Sequence, residues 1–176
     1  MDMASILKSS QVMSSEVRFE NLLTSMMNII FENSGANCVS IIVKDEEFGV
    51  FAHGKEGVTN SYNPPLLLSQ NDKLVSSRIV HHTINTGKSI FIKNVEDDPR
   101  FAVGPWFEAT GKKAVICMPI THKTTTVGCL LIEGAVGVFT HRHITVLSLL
   151  CQQMGISITN AFLFKSIQRV TMANSR

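Results

Sequence analysis

The sequence predicts an α+β fold in which a set of strands is held between helices at the two ends of the chain. Apolar residues recur at helical spacing from Met3 to Asn33 and again from His141 onward, and between these regions lie short β-branched runs bounded by turn residues. With 176 residues, 44% of them hydrophobic and 17% charged, the chain is long enough to bury a core and is expected to form one domain.

Residues 1–35 read as two helices. Ile6 and Leu7 belong to the first, and Phe19, Leu22, Leu23, Met26, Met27, Ile29 and Ile30 to the second. Ser14 or Ser15 can end one and cap the other, and Gly35 suits the closing cap. Residues 36–140 hold the strands. "CVSIIVK" (38–44) and "FGVFAHG" (48–54), joined by the acids between them, form a β-hairpin. Residues 55–73 contain Asn60, Asn63, Pro64 and Pro65 and are expected to be a mobile loop, with a short strand at 66–68. Leu74, Val75, Ile79, Val80 and Ile84 then share one side of a short helix that ends at Gly87. "SIFIKNV" is a strand, a capped helical turn follows within 97–111, and two further strands run over 113–121 and 126–133.

A long helix occupies 141–176. Thr140 is its N-cap, and Phe139 can staple onto Ile144. Ile144, Leu147, Cys151, Met154, Ile158, Ala161 and Phe162 form one stripe, but Val146, Leu149, Leu150, Ile156 and Leu163 point elsewhere. The amino-terminal helix has the same excess of apolar directions. Two remedies stay open: a second copy that covers Met154 and Ile158, or packing of the two helical regions on each other within the chain.

Composition narrows the function. The net charge of +2 is spread without a Lys/Arg run, so no nucleic acid and no membrane partner is expected. No apolar segment approaches the roughly 20 residues a bilayer span needs, and a cytoplasmic location is expected. The cysteines at 38, 117, 129 and 151 sit among apolar neighbours without a C-x-x-C pair, which predicts core packing rather than zinc. His81 and His82 point to different sides of a helix, and His141 and His143 flank a helix start, so no metal site is predicted. No thiol or hydroxyl stands beside a base at a spacing that suits nucleophilic catalysis, and no catalytic residue is assigned.

The stretch "KSIFIKNVEDDPRF" (88–101) is a strand that stops abruptly. Asp97 or Asp98 can cap a helical turn there, with Pro99 at its first position and Phe101 in the core. The strand end, with Phe101, Trp106 and Phe107 after it, can equally form a wall and lid over a sheet. The two readings are compatible.

In order and spacing, "RFENLLTSMMNIIFENSGAN", "KSIFIKNVEDDPRF", "KKAVICMPI", "VGCLLIEG" and "FTHRHITVLSLLCQQMGISITNAFLF" together resemble a GAF domain, and more narrowly the GAF domain of multi-sensor hybrid histidine kinases, the fungal peroxide-stress kinases among them. The resemblance implies a central antiparallel sheet of five or six strands, with the terminal helices on one face and short helices and a ligand pocket on the other. It implies a homodimer formed through the terminal helices, a kinase core in the same chain, and a sensory role in a stress-response phosphorelay. The pocket it suggests is bounded by Ile92, Asn94, Phe101, Trp106 and Phe107, with the helix carrying His81 on another side.

Two alternatives accompany this reading. One is a peroxide sensor using a cysteine, with Cys117 and Cys151 as candidates. The other is an enzyme of the free methionine sulfoxide reductase type, although Cys117 and Cys129 fall inside predicted strands rather than on pocket loops. Only Asn94, Glu96, Asp97 and Asp98 match part of the cyclic-nucleotide signature, and no Cys-His pair is present for a bilin. No cofactor is named, and the ligand stays open.

Overall fold

A computed structural model describes the backbone of residues 15–174 and the side chains of residues 17–163. The elements are α1 (Ser15–Asn33), β1 (Cys38–Asp45), β2 (Glu47–Lys55), β3 (Val58–Leu67), α2 (Ser77–Thr86), β4 (Ile90–Ile92), α3 (Pro105–Thr110), β5 (Ala114–His122), β6 (Thr125–Gly134) and α4 (His141–Asn174). Short 3-10 turns follow β3 and β4. The expected first helix, with Ile6 and Leu7, lies outside the described residues.

The six strands make one antiparallel sheet in the order β3-β2-β1-β6-β5-β4. Both faces of its central strands are covered, which is why they read as nearly continuous apolar runs. Val39, Ile41, Ile116, Met118, Leu130 and Ile132 meet Leu23, Met27 and Ile30 of α1 and Leu147, Met154 and Ile158 of α4. On the other face Ile42, Val50, Cys117, Cys129 and Leu131 meet Ile79 and Val80 of α2, together with Val95, Phe101 and Trp106. Each such side chain taken fully out of water contributes about 1.5–3 kcal/mol before entropy is counted.

The stretch expected to be a mobile loop is instead the edge strand β3. Asn and Pro were read as breakers, yet an edge strand needs only one row of partners and tolerates proline where pairing lapses. Here pairing with β2 lapses between Ser61 and Leu66, the interval that holds Pro64 and Pro65. Glu56 and Gly57 both have positive φ, a mirror-image turn whose twist matches that of the strands it joins.

β2 also departs from simple alternation. Ile41 pairs with Ala52 and Ile42 with Val50, leaving Phe51 as the extra residue of a β-bulge. Phe51 and Ala52 therefore both face the terminal helices, and His53 faces the other side with Val50.

α2 ends as read, at Gly87 with φ 67°, and Ser76 caps its start by accepting the Ile79 N–H at 3.3 Å. α4 starts after Thr140 as expected, but the cap works in reverse: the Thr140 N–H donates to His143 Nδ1 at 3.2 Å. Contrary to the expectation of no spanning segment, His141–Leu163 is long and apolar enough to cross a membrane by length and composition; in the fold it lies along the sheet with Leu147, Cys151, Met154 and Ile158 buried.

α1 and α4 pack side by side on one face, so the in-chain remedy accounts for most of their apolar excess. Met154 and Ile158 are buried against the sheet and cannot be the surface a second copy covers. Among the described residues, what remains outward is Leu149, Ile156 and Leu163 of α4, at 59%, 47% and 60% exposure, with Val17 and Ile29 of α1. The depth of α4 is set at Gly155, where a Cβ would land on the carbonyl oxygen of Thr121 in β5. Helix propensity alone predicts that Gly155→Ala stabilises the chain by about 1 kcal/mol. The close approach predicts the opposite, a loss of about 3 kcal/mol by overpacking, seen as a lower midpoint in urea unfolding.

Candidate functional site

The sheet register gathers polar side chains on the face away from α1 and α4. Cys38 of β1 pairs with Glu133 of β6 on one side and Lys55 of β2 on the other, and Ser40 pairs with His53. Residues two apart on a strand share a face, so Cys38 and Ser40 bring these partners into two adjacent rows.

These rows are bonded together. Lys113, just before β5, donates from Nζ to Glu133 Oε1 at 2.8 Å. Cys38 Sγ lies 3.8 Å from His53 Nε2, and Ser40 Oγ lies 2.8 Å from His53 Nδ1. One arrangement uses every proton: Ser40 donates to Nδ1, Nε2–H donates to Cys38 Sγ, and the Cys38 thiol has the Glu133 carboxylate as its acceptor. The rows border a cavity of about 420 Å³ whose rim carries Lys55, Lys73, Ala109 and Thr110.

Burial sets the protonation states. Glu133 is only 1% exposed, and the Lys113 ammonium at 2.8 Å supplies the partner that a buried acidic side chain needs. Burial first, and then the charge of Glu133, push the Cys38 thiol far above its ordinary value, so it is a donor and not a thiolate nucleophile. Burial holds His53 below its ordinary value of 6.5, outweighing the upward pull of Glu133, and Lys55 and Lys113 add to the depression. The arrangement suits holding a small polar molecule: a hydrogen-bonding floor under a rim with two exposed lysines.

The residues proposed from sequence are placed differently. Ile92, Phe101 and Trp106 do converge, in one buried cluster with Phe107 at its edge, but they fill that space together with Val95 and Val115. Large side chains bury more apolar surface by packing on each other than by walling a void. Asn94 caps the 3-10 turn, its Oδ1 accepting the Glu96 N–H at 3.1 Å, and with Ile92 borders only an open depression. Asp98 caps the next turn, as one reading had it, accepting the Arg100 N–H at 3.0 Å; its hydrogen bond from the Arg100 side chain holds its carboxyl below the usual range. His81 is exposed, edge-on to Phe48. Helix α3, which carries Trp106, reaches the cavity through Ala109 and Thr110 instead.

All four cysteines are buried and free. The neighbouring Cys117 thiol, together with burial, pushes the Cys129 thiol up. Burial raises Cys151 to about 12. Sequence reasoning passed over Cys38, His53, Lys113 and Glu133. The available signal was a His and a Glu inside otherwise apolar strand runs, "VFAHG" and "CLLIEG".

The sequence profile of the GAF domain matches residues 16–159. The chain is 27% identical over 176 residues to the peroxide stress-activated histidine kinase mak3 of Schizosaccharomyces pombe, covering 99% of this chain and 8% of that protein. It thus spans about a twelfth of that relative's length. Among solved structures, it superposes on the GAF domain of a two-component sensor histidine kinase from Bacillus halodurans with a TM-score of 0.61 at 14% identity, covering 83% of this chain and 97% of that one. The type II free methionine-R-sulfoxide reductase of Thermoplasma acidophilum superposes with a TM-score of 0.59 at 12% identity, covering 80% and 92%. At such identities the two structures share the fold with this chain.

The depressed His53 predicts a pH dependence with a definite sign. The fold favours the neutral ring, so this contribution is fully present above the unfolded value of 6.5 and is lost as pH falls below it, toward the lower folded value. Urea midpoints measured from slightly alkaline to mildly acidic pH should fall for the wild type, and fall less for His53→Gln.

Proposed function

The chain belongs to the GAF domain family, and from that premise we propose that it is a non-catalytic sensory module that holds a small molecule in the cavity over Cys38, His53 and Glu133. The observation that carries this reading is the buried row itself. Polar groups inside a sheet are destabilising unless fully paired, and these are paired around a concavity instead of being replaced by the Val and Ile that fill the rest of that face. Its likeness to a segment of a much longer histidine kinase supports a place upstream of a kinase core, in a stress-response phosphorelay in the cytoplasm. The high thiol pKa of Cys38 argues against catalysis by the domain itself.

A redox role at Cys117 and Cys151 is the weaker reading. Both thiols sit in packed clusters, and sensor cysteines are accessible and rich in thiolate. A reductase of the methionine sulfoxide type is weaker still, because Cys117 and Cys129 lie inside β5 and β6.

The signal would leave through α4. Leu149, Ile156 and Leu163 are exposed at seven-residue spacing, the repeat of a helix that pairs with a second copy of itself. At micromolar concentration light scattering should report a dimer for the wild type and a monomer for Ile156→Glu with an unchanged Tm; a wild-type monomer removes the dimer from the reading. For the cavity, a thermal-shift screen of small metabolites should yield compounds that raise the Tm of the wild type and not of Ala109→Trp, whose indole obstructs the rim. Compounds indifferent to that substitution would place ligand binding elsewhere.

A further inference from the structure

A second cavity lies on the opposite face of the sheet, where α1 and α4 pass the β2–β3 edge, and it encloses about 290 Å³. Phe19 of α1, Phe51 of β2 and Phe162 of α4 line it and touch one another. Their ring centroids are 5.6 Å apart for Phe19–Phe51, 5.4 Å for Phe19–Phe162 and 6.0 Å for Phe51–Phe162. Glu20 and Asp45, both exposed, stand at the rim, and no Lys or Arg is among its described lining residues. Neither carboxylate has a hydrogen bond or ion pair among the described residues.

Aromatic faces carry negative partial charge, and a cation over several of them gains attraction that grows as water is excluded. The two carboxylates beside the rings strengthen that preference and repel anions. The space is at the small end of ligand pockets, so the occupant has few heavy atoms. We propose that this cavity binds a small organic cation of the methylated-ammonium class, its positive centre over Phe19, Phe51 and Phe162 and balanced by Glu20 and Asp45. Its walls come from α1, the sheet edge and α4, so occupancy ties α4 to the sheet at Ala161 and Phe162.

Calorimetric titration of the 176-residue chain with choline, and with the uncharged isostere in which carbon replaces the nitrogen, tests the proposal. Saturable millimolar binding of choline is expected, with the isostere weaker by about tenfold. Glu20→Gln and Asp45→Asn, both at exposed positions whose fold is checked by circular dichroism, should each weaken choline several-fold, and the double variant further. Phe162→Leu should weaken it as well, and Ala109→Trp, on the other face, should leave it unchanged. No saturable binding, equal binding of the isostere, indifference to the double variant, or loss of binding in Ala109→Trp would each overturn the proposal.

Discussion

One extra residue in β2 decides which side chains look which way. Without the bulge at Phe51, alternation along β2 would turn His53 and Lys55 toward the terminal helices, away from Cys38 and Ser40. With it, Phe51 and Ala52 both serve the helix-side core, and the strand resumes with His53 opposite Ser40. The same residue thus delivers an aromatic ring to one face and an imidazole, two positions on, to the other. Both cavities depend on that shift.

The two faces of the sheet then follow different chemistry. Beneath α1 and α4 the core is an apolar cluster, with polar side chains such as Glu20, Asp45 and Asn63 gathered at the β2–β3 edge. Beneath α2 and α3 the apolar cluster is interrupted at one end by a charged pair and a thiol–imidazole–hydroxyl run. Such a run is stable only when every member has a partner. Its partners come from strands distant in sequence, β6 and β1 in one row and β1 and β2 in the next, so the antiparallel register is itself part of the site.

At Gly155 the backbone of α4 rests on the backbone of β5, leaving no side chain between them to act as a compliant layer. At this point α4 and β5 cannot approach more closely. The helix carries its buried stripe on the sheet and a second, exposed stripe of Leu149, Ile156 and Leu163 on the far side.

Much of this was legible in the sequence. Periodicity located α1, α2 and α4 to within a few residues, β-branched runs located β1, β2, β5 and β6, and the order of motifs pointed to the GAF fold, because each of these signals is local in the chain. The edge strand β3 was missed because Pro and Asn disqualify a central strand but not an edge one, and edge or centre is a tertiary property. The packing of the aromatic cluster was hidden for a related reason. Sequence shows that Phe101, Trp106 and Phe107 are near one another but not whether they enclose a space or fill it. Cys38, Glu133 and His53 lie far apart in the chain, and only strand pairing together with the bulge at Phe51 makes them neighbours. Local pattern determined the elements; the balance of packing against register decided the sites.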